Sequence, residues 1–152
     1  MFTDVVGSTE HLGSLGDRGW ADLLETHDAR VRAQLRRFGG QEIDTAGDGF
    51  FAWFPSATAA IRCAIAVREA VVEIGVELRI GIHTGECEIV GDKLRGMAVH
   101  IGARVGSKAG AGEILVSRTV RDLLIGSAFV FEGRGEHQLK GVGGTWLLYA
   151  VV

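Results

Sequence analysis

"EIDTAGDGFFAWF" (residues 42–54) decides how the chain is organised. Residues 41–45 and 49–54 are extended runs rich in β-branched and aromatic side chains. Between them stands Gly47-Asp48-Gly49, good turn chemistry, so the stretch predicts a β-hairpin. It also carries two carboxylates four residues apart, Asp44 and Asp48. At the corner, Asp48 is placed to meet a metal ion. Three roles are open for Asp44: a second ligand, a specificity group, or a solvated strand residue.

Upstream of the hairpin, Trp20, Leu24, His27, Val31, Leu35 and Phe38 recur at three- and four-residue steps and define one helix face. Gly39-Gly40 stops that helix. Before it come a short strand, "MFTDVV", and a glycine-rich passage, "GSTEHLGSLGDRG". Downstream, Pro55-Ser56 opens a second helix whose face includes Ala57, Ala60, Ile61, Ala64 and Ile65. "VELRIGIHTGECEIV" predicts two strands around a glycine-marked turn, and "MAVHIGARVGSKAG" a third helix. "EILVS", "AFVFEGRG" and "TWLLYAVV" are late strands, with the short helix "RTVRDLLIG" between the first two. The order β-α-β-β-α-β places the chain in the α+β class. It predicts a split-βαβ, ferredoxin-like sheet with helices on one face, plus a C-terminal helix and strands.

The 152 residues contain no repeat, low-complexity segment or linker and are expected to form a single domain, 1–152. Met1-Phe2-Thr3 resembles the tail of a strand, which leads to the expectation of a domain excised from a longer chain. A net charge of −3 without a Lys/Arg block argues against duplex nucleic acid as a partner. No apolar stretch approaches the ~18 residues of a membrane span, and no signal peptide is expected. Cys63 and Cys87 lack CxxC spacing and are expected to be reduced, semi-buried thiols of a cytoplasmic domain.

Asp4 ends a strand and is followed by Gly7-Ser8-Thr9 entering a helix. Free amides at a helix start attract anions, and glycine lets a phosphate approach the backbone. A neighbouring carboxylate can hold a divalent cation that bridges to the same phosphate. Taken alone, Ser8 or Thr9 is equally a helix cap, and Asp48 equally a turn residue. In a split-βαβ sheet, however, the strand ending in Asp4 and the corner carrying Asp48 can lie side by side. Two carboxylates converging beside a phosphate nest point to two-metal phosphoryl transfer. His83 and Glu86 are not assigned to a metal; His83 is expected to be a hydrogen-bonded core residue.

"FTDVVGST", "TAGDGF", "RIGIHTGE" and "LKGV", in this order, resemble the catalytic domain of class III nucleotidyl cyclases, of the adenylyl, bacterial type. The resemblance runs from Phe2 to Tyr149. It implies conversion of ATP to 3′,5′-cyclic AMP and pyrophosphate with two divalent cations, Mg²⁺ or Mn²⁺. Asp4 and Asp48 would be the side-chain metal ligands, joined by the Val5 carbonyl. Gly7, Ser8, Thr9 and Lys140 would meet the substrate's phosphates. Arg104 would steady the α-phosphate in the transition state. His100 stands where the family has an asparagine that steadies the ribose. A two-fold homodimer with shared active sites is implied as well. A diguanylate cyclase would need a GG(D/E)EF-like signature, which is absent.

One pair departs from the adenylyl pattern. Adenylyl-type members carry lysine four residues before the second metal aspartate, and aspartate three before the glycine that opens the late helix. Here Asp44 and Lys93 hold those positions, so the signs are exchanged. A carboxylate cannot donate to adenine N1, and an ammonium cannot accept from N6. Guanine presents the opposite edge: N1–H and N2–H donors and an O6 acceptor. The exchange leaves room for an ion pair between the two residues. It opens two alternatives to ATP turnover: a guanylyl cyclase using GTP, or a catalytically weak domain that binds nucleotide or dimerises.

Overall fold

The structure is a computed structural model describing all 152 residues. Its elements are β1 (Phe2–Val5), α1 (Ser8–Arg37), β2 (Gln41–Ala46), β3 (Gly49–Trp53), α2 (Ala57–Val72), β4 (Leu78–Ile82), β5 (Glu88–Val90), β6 (Lys93–Arg95), α3 (Met97–Ser107), β7 (Ile114–Ser117), α4 (Arg118–Leu123), β8 (Phe131–His137) and β9 (Trp146–Val151). Seven strands form one mixed sheet in the order β2-β3-β1-β4-β7-β9-β8. The class, the β2–β3 hairpin and the split-βαβ core are as the sequence predicts.

Strand alternation sorts the sheet into two faces. Ile80, Ile82, Ile114 and Val116 join Val31 and Leu35 of α1 and Ile61, Ala64 and Val67 of α2 in the larger core. On the opposite face Leu115, Leu148 and Ala150 meet Ile101 and Val105 of α3 in a smaller one. Thus α1 and α2 share one face as expected, and α3 covers the other. Helix α1 starts earlier than its apolar periodicity, at Ser8, and is kinked at Gly16 (φ 71°, ψ 173°).

Helix α3 sits close to the strands because glycines line the contact. A methyl group at Gly81 would stand 2.2 Å from the Gly106 nitrogen and 2.9 Å from the Gly102 carbonyl oxygen. Backbone rests on backbone there, so no rotamer can relieve the clash. Gly81→Ala is expected to cost at least about 2 kcal/mol of stability by overpacking, read as a lower urea midpoint.

"VELRIGIHTGECEIV" supplies the two strands expected, but to different sheets: β4 lies in the centre of the main sheet, whereas β5 pairs with β6 in a separate ribbon. The residues that separate β4 from β5 carry the chain out of the sheet instead of back along it. The expectation of two semi-buried thiols is corrected: Cys63 is a buried free thiol and Cys87 is exposed. No helix is long and apolar enough to cross a membrane.

Candidate active site

Asp4 stands near the end of β1, directly opposite Arg79 of β4. The hairpin corner brings Asp48 to the same place: its Oδ1 accepts the Val5 amide at 3.5 Å. The corner needs both glycines. Gly47 takes a left-handed φ of 59°, and a side chain at Gly49 would stand 3.0 Å from the Thr3 carbonyl oxygen. The close β1–β3 contact thereby sets Asp48 against Asp4.

Partial desolvation pushes the Asp4 carboxyl above its ordinary range. A hydrogen bond with Asp48 and that residue's charge add to the rise, while Arg79 opposes it. Arg79 Nη2 is 3.7 Å from Asp4 Oδ2, and its buried Nε has no partner. This arginine escaped the sequence analysis. Its detectable signal was its place in the "LRIGI" strand, one antiparallel register from Asp4.

Two carboxylates held together, with a single cation, Arg79, 3.7 Å from one of them, suit a hard divalent ion. Mg²⁺ commonly takes one or two protein carboxylates and completes its shell with water and phosphate. No cluster of three or more His, Cys, Asp or Glu side chains exists that would suit a protein-only cage. The donor set therefore fits a divalent ion that completes its shell with water or the oxygens of a ligand.

The crowding has a pH consequence. Asp4 is protonated more readily in the folded chain than in the unfolded one. Metal-free stability therefore falls as pH rises from the ordinary carboxylate range through the raised value, and stays lower above it. Asp48→Asn removes the opposing charge and is expected to raise the Tm at pH 7 in chelator. A Tm at or below the wild-type value would contradict this.

Beside the carboxylates, Gly7 caps α1 in a left-handed conformation (φ 67°) with no side-chain hydrogen bond. Neither Ser8 nor Thr9 acts as a cap, so the first turn keeps its amides free of side-chain acceptors. Arg104 and Lys140 lie elsewhere. Arg104 Nε donates to the Lys140 carbonyl at 3.1 Å, and both residues line a groove with Ser107, Lys108 and Gln138. Asp4, Asp48 and the Gly7–Thr9 turn do not line that groove. His100 is exposed one turn before Arg104 on α3.

Asp44 and Lys93 are both exposed and form no ion pair. One oxygen of Asp44 accepts the Thr45 amide at 2.9 Å, and Lys93 opens β6 in the outlying ribbon. His83 is part-buried, with Nδ1 2.6 Å from Ser117 Oγ, as expected for a structural residue. Burial lowers its pKa to about 4, so it is neutral at pH 7.

The sheet order, the helix on each face and the paired carboxylates at the end of β1 define a class III nucleotidyl cyclase fold. Among solved structures, the adenylyl cyclase CyaB from P. aeruginosa superposes with a TM-score of 0.89 at 26% identity, covering 99% of this chain and 91% of that one. The chain belongs to the adenylate and guanylate cyclase catalytic domain family, whose sequence model matches residues 1–151. The guanylate cyclase domain of RhGC from Catenaria anguillulae, solved in complex with GTP, has a TM-score of 0.86 at 22% identity, covering 99% and 93% of the two chains. An adenylate cyclase of Lachancea kluyveri is 28% identical over 148 residues, which is 77% of this chain and 8% of that protein. The chain thus spans a small part of such relatives.

Proposed function

We propose that this domain converts a nucleoside triphosphate to its 3′,5′-cyclic monophosphate. The 3′-oxygen bonds to the α-phosphorus, the bond from that phosphorus to the β-phosphate oxygen breaks, pyrophosphate leaves, and the hydroxyl proton passes to solvent. The observation that carries the proposal is the convergence of Asp4 and Asp48 beside the start of α1, whose cap makes no side-chain hydrogen bond.

Asp4, Asp48 and the Val5 carbonyl would hold two divalent cations, Mg²⁺ or Mn²⁺. Bound there, the ions supply Lewis acidity that acidifies the 3′-hydroxyl and neutralises charge on the phosphates. The amides of Gly7, Ser8 and Thr9 receive phosphate oxygens. Arg104 meets the α-phosphate as its charge grows, and Lys140 meets the β- and γ-phosphates. His100 donates to the ribose.

The separation of Arg104 and Lys140 from the two aspartates supports a two-fold homodimer in which each copy completes the other's site. Apolar surface is available for it: Ile89 on the ribbon and Met97 at the start of α3 are 75% and 58% exposed.

Asp44 and Lys93 are the base-reading pair of this proposal. The sequence motifs favour adenylyl-type ancestry and hence ATP, but the polarity of the pair matches guanine. Asp44 accepts from N1–H and N2–H, and Lys93 donates to O6. Assay of ATP and GTP in parallel with Mn²⁺ tests the proposal. Cyclic product from either supports a cyclase, and GTP preference supports the guanine assignment. Absence of product from both would leave a nucleotide-binding or dimerisation domain.

A further inference from the structure

Strand β2 is an edge of the seven-stranded sheet, and none of its residues is fully buried. Burial therefore does little to fix its register. Yet Asp44 has to face one particular side. Paired residues on antiparallel strands point to the same face. Glu42 pairs with Ala52, which belongs to the core under α1 and α2. Asp44 pairs with Phe51, whose ring stacks on Phe2 at 4.4 Å. Phe2 in turn lies against Gly102 of α3. Glu42 and Asp44 are two residues apart, and a regular strand would put them on the same face. The register shift between them, with Ile43 as the extra residue, turns Asp44 to the α3 face. Asp4, two residues beyond Phe2 on β1, shares that face.

The α1 side of this bulge is held by a built network. Arg32 of α1 grips Glu42 with two bonds, Nε to Oε2 and Nη2 to Oε1, both 2.9 Å. Thr45 Oγ1 donates to Glu42 Oε1 from the other side of the bulge, and the Thr45 amide donates to Asp44 Oδ1 at 2.9 Å. Thr45 itself pairs with Phe50, a buried residue of the α1 face, and Arg32 lies over the Phe50 ring at 5.2 Å. The hydrogen bond from Arg32, with partial desolvation acting against it, lowers the Glu42 carboxyl to about 2, so the grip persists across the working pH range. Residue 42 is tied to α1 and residue 45 to residue 42, and only 43 and 44 are left to bulge.

We infer that Arg32, Glu42 and Thr45 are positioning residues for purine selection: they lock the β2 bulge that presents Asp44 on the nucleotide-facing side of the sheet. The inference rests on the assignment of Asp44 to the base. Loss of the clamp frees residues 42–45 at this sheet edge, so the bulge no longer holds Asp44 firmly in its pairing with Phe51. Phosphate and metal groups are untouched, so the defect falls on nucleotide KM and on base choice while kcat holds.

The test compares Arg32→Ala, Glu42→Ala and Thr45→Val with Asp44→Ala. Arg30→Ala is the control: Arg30 bonds the Ala70 carbonyl and Glu73, both at 2.6 Å, and so ties α1 to α2 without touching β2. Steady-state kinetics with ATP and with GTP should show the kcat/KM ratio between the two compressed roughly tenfold in Arg32→Ala and Glu42→Ala, mostly through KM. Arg32→Lys, which keeps the charge but not the fork, should fall between. Arg30→Ala should lower stability and leave the ratio alone. A ratio that moves in Asp44→Ala and stays within twofold in Arg32→Ala overturns the inference alone. A ratio unmoved in Asp44→Ala overturns the base assignment and the inference with it. A readout independent of turnover is amide exchange: Glu42→Ala should speed exchange at Thr45 about tenfold or more and leave Phe50 unchanged. Unchanged exchange at Thr45 refutes the clamp.

Discussion

Asp48→Ala is expected to reduce turnover by about a thousandfold or more, as removal of a charge-stabilising catalytic group does, with Asp4→Ala equivalent. Each variant leaves one carboxylate beside Arg79, and one carboxylate cannot organise two divalent ions. Arg104→Ala is expected to be similarly impaired, because in the proposed site the guanidinium meets charge on the α-phosphate. The decisive measurement is the mixture. In a heterodimer of Asp48→Ala and Arg104→Ala, one site carries both lesions and the other carries neither. Random exchange of subunits at equal concentration should recover about one quarter of the wild-type sites. Failure to recover activity, with heterodimers demonstrated by differential tagging, would exclude shared sites.

The second large effect concerns the base. Exchanging the pair, Asp44→Lys with Lys93→Asp, is expected to move the ATP-to-GTP ratio of kcat/KM toward ATP by roughly a hundredfold or more. A site built to pair with a polar edge penalises the wrong edge by several orders of magnitude, since the mismatch leaves groups unpaired. Each single exchange should be worse than either reciprocal pair, because it sets like charges around one base. The two residues form no ion pair in the free protein, so any coupling between them should appear in nucleotide binding and be small in thermal stability. A double exchange that leaves the ratio unchanged would remove both residues from base recognition.

The sequence made the core legible where signals were local. Helix faces and the Gly47-Asp48-Gly49 corner follow from spacing and from one hairpin, and the approach of Asp4 to Asp48 follows from the element order of a split-βαβ sheet. Features that depend on partners distant in sequence were not legible. The outlying β5–β6 ribbon is one, since "ECEIV" has strand character whichever neighbour it takes. The covering of the second face by α3 is another, fixed by glycines on two elements that meet only in the fold. Arg79 became visible only opposite Asp4, and the Arg32–Glu42 grip only when α1 met β2. The candidate site was thus readable as a set of carboxylates and motif positions. Its face, and what holds it there, was not.

The glycine contact between α3 and β4 sets a limit on divergence. Because the helix bears on strand backbone at Gly81 and Gly106, the height of Arg104 above the sheet is set by two main chains rather than by the volumes of intervening side chains. Outward-facing residues of α3 can drift, and the core beside it can be repacked, without moving that guanidinium. A lineage free to change most of this helix would still inherit the same reach from the sheet to the groove that Arg104 shares with Lys140.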